Sequence, residues 1–170
     1  MSLNLIPDYI FDTFEGASVE FLQRLGVRGV ILDIDNTLEP YENALPGEKV
    51  LAWLNSLYNV GIKTAIVSNN NKERVELFNS EISMPAYYKA GKPFKKNILR
   101  AMSDIGTDRS DTVFIGDQIL TDVWAAHNAG IRAILVPPIK DKTDPFTKFK
   151  RLLEIPFKNK YYKLRKEENK

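Results

Sequence analysis

Cysteine is absent from this 170-residue chain, and histidine occurs once, at position 127. Without cysteine there are no disulfides, no thiolate metal sites and no thiol nucleophile. No apolar run approaches the ~20 residues that a membrane-spanning helix needs. Residues 1–11 lack the basic start and small-residue cleavage site of a secretory signal. The expected location is therefore cytoplasmic, with peripheral contact at the inner face of the membrane left open. Internal repeats are missing too, and the only biased segment is a lysine-rich C-terminal end.

What is present is globular: 44% hydrophobic and 27% charged residues, in a length that suits one domain burying about two thirds of its unfolded surface. The net charge of +2 conceals an asymmetry. Residues 1–139 carry 13 basic and 17 acidic side chains, whereas residues 140–170 carry 11 and 5. A mildly acidic body with a basic tail points the tail toward an anionic partner, either a phospholipid surface or nucleic acid.

Apolar segments alternate with amphipathic ones, the pattern of a parallel sheet covered by helices. Strands are expected at 29–32, 64–67, 86–88, 112–115 and 133–136. Pro46 opens a helix carrying Val50, Trp53, Leu54 and Leu57 that stops near Gly61. Further helices are expected at 71–80, 94–105 and 120–128, the last capped by Gly130. Before the first strand, Phe11, Phe14, Val19, Phe21, Leu22 and Leu25 read as a helix packed on the sheet. Trp53 and Trp124 read as core, and His127 as an ordinary helix residue, not a base. After Pro137-Pro138 the rhythm stops.

The most informative stretch is ILDIDNTLEP at residues 31–40, where an apolar run ends in Asp33 and Asp35. Residues two apart share one side of a strand, so these acids repel unless a cation, a proton or a chain turn relieves them. Three more stations follow: AIVSNN with Ser68 and Asn69, AGKPF with Lys92, and FIGDQILTD with Asp117 and Asp122. Each lies after an expected strand or before a helix. In an open α/β sheet, ligands bind beyond the carboxyl ends of the strands, where all four stations can converge.

D-x-D-N-T, a strand ending in S-N, a G-K-P lysine and G-D-x-x-x-x-D, in this order, resemble the four motifs of the haloacid dehalogenase (HAD) superfamily of phosphatases. The narrower likeness is to the capless subclass IIIA, YqeG-type, relatives of the mitochondrial phosphatidylglycerophosphate phosphatases. The resemblance implies a three-layer Rossmann-like fold with a central five-stranded parallel sheet. It also implies a phosphatase core over residues 1–138, including a helical lead-in, and a basic, aromatic-containing extension over 139–170. By position, Asp33 resembles the nucleophile that forms an aspartyl-phosphate, and Asp35 the general acid and base. Magnesium is implied, held by Asp33, the Asp35 backbone carbonyl and Asp117, with Asp122 on a metal-bound water or orienting its neighbours. Lys92 is the second cation. Ser68, helped by Asn69, resembles the phosphate binder, and Thr37, grouped with the substrate-binding residues, is expected to pin the turn. Asn36 has no role that the residues themselves reveal.

Asp33 to Ser68 spans 35 residues and Ser68 to Lys92 spans 24. Neither gap holds more than its strand and helix, so by the resemblance there is no cap domain and the site is open. An open site suits a large phosphorylated substrate, and phosphatidylglycerophosphate is favoured. Phosphoproteins, nucleic-acid ends and small metabolites are alternatives, as is a non-catalytic nucleic-acid or ribosome-associated module. The tail mixes Phe146, Phe149, Leu152, Leu153, Phe157, Tyr161 and Tyr162 with lysine and arginine. That describes an interfacial membrane segment or, equally, a helix over 146–155 docked on the domain with a solvated remainder.

Overall fold

The computed structural model describes residues 4–140 and 145–168. Expectations for residues 1–3, 141–144 and 169–170, in the lead-in and extension, lie outside the described residues. Along the chain run β1 (Tyr9–Ile10), α1 (Val19–Arg24), β2 (Gly29–Leu32), α2 (Glu48–Asn59), β3 (Lys63–Val67), α3 (Lys72–Asn79) and β4 (Ala86–Tyr87). They are followed by α4 (Lys96–Ile105), β5 (Thr112–Gly116), α5 (Trp124–Ala129), β6 (Arg132–Leu135) and α6 (Pro145–Glu168).

All strands pair in parallel in one sheet of order β1-β6-β5-β2-β3-β4. The chain builds outward from β2 through β3 and β4, then crosses back to lay β5 and β6 on the other side. Strand order thus reverses between β2 and β5, which opens a crevice at their carboxyl ends. Residues of β2 alternate across the sheet: Val30 and Leu32 join Trp53, Leu57 and Phe78 on one face, while Ile31 joins Ile98, Met102 and Ile119 on the other. Strands covered on both faces read as continuous apolar runs, as β2 and β5 do.

The sheet has six strands where five were expected. The lead-in is not one helix: Tyr9–Ile10 pairs with β6, extended by Asp8 N–H donating to Ala133 O (3.0 Å) and Phe11 N–H to Leu135 O (3.1 Å). A β-prone aromatic run covers an edge that β6 would otherwise leave unpaired. Only residues 19–24 are α-helical, capped by Ser18 Oγ accepting from Phe21 N–H at 3.2 Å.

The extension also differs from expectation. Instead of a short helix and a solvated remainder, α6 runs 24 residues through Pro156. Its distal half is tied to β1, with Tyr161 Oη accepting from Ile10 N–H (3.2 Å) and Arg165 donating to Asp8 O (2.7 Å). Among the described residues, no helix is long and apolar enough to cross a membrane.

Candidate active site

β2 delivers Asp33 and β5 delivers Asp117, on either side of the reversal point. Asp33 N–H still pairs with Ile115 O (3.0 Å), so its backbone is fixed by the sheet. After Asp35 the chain turns through Asn36, whose φ of 62° lies in the left-handed region that asparagine tolerates better than most residues. Asn36 O accepts from Ile139 N–H (3.0 Å), and its buried side-chain oxygen has no hydrogen-bond partner. Buried Glu39 braces this loop by accepting from Gly47 N–H and Asn43 Nδ2, both at 2.7 Å.

Asp122 sits on a single π-helical turn, Ile119–Val123, directly after β5, a backbone irregularity common at functional sites. Its Oδ2 accepts from Asp117 N–H (3.1 Å) and Gln118 N–H (3.0 Å). Gly116 makes this possible, because a Cβ there would fall inside the Asp122 side chain. Lys92 arrives from the β4–α4 loop and donates to Asp33 Oδ1 and Asp122 Oδ1, both at 2.7 Å. Asn69 grips the Lys92 backbone through both ends of its amide, accepting from its N–H at 2.8 Å and donating to its carbonyl at 3.2 Å.

Three carboxylates, those of Asp33, Asp117 and Asp122, offer oxygens within 4.8 Å of one another, all buried. Burial raises the Asp33 and Asp117 carboxyls above the usual carboxylate range, and the neighbouring acids push the same way against the pull of Lys92 and Arg151. Burial alone would depress Lys92, but Asp122 and Asp33 outweigh it and raise the ammonium instead. A charged, all-oxygen donor set whose repulsion is only partly relieved by Lys92 suits a hard divalent cation.

Asp35 stands apart from this cluster. Its carboxylate accepts from Asn70 Nδ2 (2.7 Å) and Arg74 Nε (3.0 Å), while its residue still lines the same cleft as Asp33, Ser68 and Lys92, a space of about 350 Å³. Ser68 Oγ accepts from Asn70 N–H (3.1 Å), and the cap of α3 is Asn71, not Ser68 or Asn69. Thr37, grouped with the substrate-binding residues in sequence, lies beneath the carboxylates. Its hydroxyl is 3.4 Å from Asp33 Oδ2 and 3.3 Å from Asp117 Oδ1, and it is off the wall of the cleft.

Two contributions had no sequence signature as site residues. Arg74 lies one helical turn into α3, where it looks like an ordinary surface arginine. From α6, Arg151 donates to Asp117 O and Asp117 Oδ2, both at 2.5 Å. Glu154, fully buried, accepts from Ile119 N–H (2.7 Å) and holds Arg151 at 3.4 Å. Lys150 of the same helix lines the cleft. The spacing of Arg151 and Glu154 was the only available hint, and it describes countless surface helices. His127 is remote from the cleft, joining Asn4 O (2.7 Å) to Asp8 Oδ2 (2.9 Å).

A reversal point between two parallel strands, an aspartate at the end of each and a lysine bridging Asp33 to Asp122 define a HAD-type phosphatase. The family model described as "HAD-hyrolase-like" matches residues 89–147. "Probable phosphatase YqeG" of Bacillus subtilis is 36% identical over 149 residues, 88% of this chain and 87% of that protein. The chain belongs to the YqeG-type family of the haloacid dehalogenase superfamily. Solved structures carry the same fold at low identity. One is the 3-deoxy-D-manno-octulosonate 8-phosphate phosphatase of Moraxella catarrhalis in complex with magnesium, phosphate and KDO, at 16% identity and TM-score 0.54, covering 85% of this chain and 95% of that one. Another is the cobalt-bound deoxy-D-mannose-octulosonate 8-phosphate phosphatase of Haemophilus influenzae, at 13% identity and TM-score 0.55, covering 81% and 92%.

Proposed function

We propose that the protein is a magnesium-dependent phosphomonoesterase acting through an aspartyl-phosphate, with phosphatidylglycerophosphate as substrate. The observation that carries the reaction is the separation of the two acids of D-x-D. Asp33 is packed with Lys92 and the other cluster carboxylates, whereas Asp35 is held away from them by Asn70 and Arg74. That separation supports a division of labour in which one carboxylate bonds to phosphorus and the other moves a proton.

An Asp33 oxygen attacks phosphorus as the ester P–O bond breaks, and protonated Asp35 gives its proton to the departing alkoxide. Asp35, now ionised, takes a proton from water as that water attacks phosphorus, releasing phosphate and regenerating the Asp33 carboxylate. Lys92 bridges Asp33 and the phosphate oxygens throughout, and Ser68 donates its hydroxyl to one of them. Asp33, the Asp35 backbone carbonyl and Asp117, with Asp122 beside them, would hold magnesium, which would supply the positive charge that a phosphoryl group needs in order to meet a carboxylate. Thr37 and Asn69 position the Asp33 carboxylate and the Lys92 backbone.

The substrate reading is supported by the cleft. Residues 33–92 insert no cap, and Lys150 offers a second cation on the lining of the cleft, suited to a second phosphate. A lipid head group presented by a membrane satisfies both features. The test is phosphate release from p-nitrophenyl phosphate with and without magnesium for wild type and Asp33→Asn. It is followed by turnover of phosphatidylglycerophosphate against glycerol phosphate and phosphopeptides. Metal-independent rates equal in both proteins defeat the mechanism, and a lipid poorer than the soluble esters defeats the substrate.

A further inference from the structure

α6 is docked inside out. The side chains that turn toward the domain are ionic or polar-tipped: Arg151 and Glu154 at the site, Tyr161 and Arg165 at β1, with Phe157 the apolar exception. Its large apolar residues turn to solvent. Phe146 is 69% exposed, Leu152 63% and Phe149 58%, and Leu153, Ile155, Tyr162 and Leu164 are also exposed. On the rest of the described surface, exposed large apolar residues are scattered in ones and twos along the chain, which is ordinary. Seven on one helix concentrate exposed apolar surface on a single element, which marks an interaction surface.

The charge on that face selects the partner. Between residues 146 and 166 the only acid is Glu154, which is buried. The exposed cations are Lys148, Lys160, Lys163 and Lys166. The first half of the face is centred on Phe149, Leu152 and Leu153, the second on the lysines. Protein interfaces are depleted in lysine, whereas helices that lie in a bilayer surface combine Phe and Leu with lysines that reach the head groups.

We propose that the outward face of α6 docks on an anionic phospholipid surface and so holds the cleft at the head-group plane. The proposal deepens the lipid-substrate reading of the same site and rests on it for what enters the cleft. Lys150 Nζ lies 4.7 Å from the centre of the Phe146 ring and lines the cleft. The docking face and the cleft therefore meet at adjacent turns of one helix. Arg151, the next residue, holds Asp117, so the face and the acidic cluster are mechanically joined.

The test sediments the full chain with vesicles of phosphatidylcholine alone or of equal parts phosphatidylcholine and phosphatidylglycerol. Wild type should bind only the anionic vesicles, and rising salt should release it. Replacing Lys160, Lys163 and Lys166 by Gln should weaken partition by roughly a hundredfold, since each lysine near such a surface contributes about a factor of five. Phe149→Ser with Leu152→Ser should weaken it by at least about tenfold. Both variants should keep wild-type turnover of p-nitrophenyl phosphate, because none of these residues lines the cleft. Vesicle binding is read without turnover, so an inactive wild type defeats the phosphatase reading alone. Equal sedimentation of wild type and variants, or no binding by wild type, overturns the docking proposal. So does a dimer, seen by light scattering, that the same substitutions dissolve while vesicle binding is unchanged.

Discussion

Asp33→Asn should make the metal-free protein more stable. The cluster gathers the carboxylates of Asp33, Asp117 and Asp122 around the ammonium of Lys92, while the guanidinium of Arg151 is shared between Asp117 and buried Glu154, so negative charge is in excess in a buried space. Asparagine keeps the size and lowers that excess, while Lys92 retains its 2.7 Å contact with Asp122. Relief of this kind contributes about 1–3 kcal/mol, which in a protein of this size raises Tm by roughly 3–10 °C. The pH dependence follows from the direction of the Asp33 shift. Its carboxyl is raised above its ordinary value of 3.8 by burial and by the neighbouring acids, so the charge costs stability above that value. The advantage of Asn should be small near pH 4 and grow toward neutrality. Adding magnesium should reverse it, because wild type gains ~2.7 kcal/mol at a hundredfold excess over Kd and the variant, short of one ligand, gains less. Thermal melts in chelator and in magnesium, across pH, check all three parts. A variant that melts at or below wild type in chelator at neutral pH, or an advantage that widens as pH falls, refutes the reasoning.

Lys92→Met leaves Asp33 and Asp122 facing each other without their ammonium, so urea unfolding in chelator should show a loss of about 3–5 kcal/mol. Hydrolysis of p-nitrophenyl phosphate should fall at least ~100-fold. Asp35→Asn cannot exchange a proton, and its one amide oxygen can accept from only one of Asn70 and Arg74, so it should lower kcat by ~100- to 10,000-fold in steady-state assays and cost about 1–3 kcal/mol of stability. Glu154→Ala strands the Ile119 N–H and deprives Arg151 of a partner, so it should cost about 3 kcal/mol. Trypsin should then cut within α6 before the rest of the chain. His127→Gln tests the clamp on the N-terminal segment. Both ring nitrogens face acceptors, Asn4 O and Asp8 Oδ2, so the clamp is complete only when the ring is protonated. Although burial opposes it, contact with Asp8 and Asn4 raises His127, and contact with His127 lowers Asp8 despite its own burial. The stabilisation should therefore be full between the ordinary carboxylate and imidazole values and decline as pH rises through the folded-state value of His127. Melting wild type and variant from pH 5 to pH 9 should show their difference shrinking at the alkaline end.

The parts of the fold set by periodicity were legible in the chain. β2 was expected at its observed bounds, and the stripe Val50, Trp53, Leu54 and Leu57 is buried as its spacing requires. Short local elements were not. Tyr9–Ile10 is two residues long, too brief to show a period, and is a strand only because β6 offers an open edge. The residues of the four stations also announced themselves, since acids at the ends of apolar strands serve no packing purpose. What stayed hidden is what reaches the site from afar. Arg74 meets Asp35 across 39 positions and Arg151 meets Asp117 across 34, and nothing in their local sequence distinguishes them from solvated arginines. In α6, the mixture of aromatic and basic residues left an interfacial segment and a docked helix equally open. The helix docks through Arg151 and Glu154, because orphan N–H groups after β5 and the Asp117 carboxylate exert a stronger local demand than another apolar contact.

That mode of docking makes α6 an exchangeable part. Its grip at the cleft rests on one arginine and one glutamate a single turn apart, so the intervening and outward positions are free to drift without disturbing the sheet or the carboxylates. Gly116, by contrast, admits no side chain at all. Grafting the helix of one relative onto the sheet of another, keeping this pair together with Lys150 on the cleft wall and the Tyr161 and Arg165 contacts to the N-terminal strand, is thus a rational route to a new outer surface on the same catalyst.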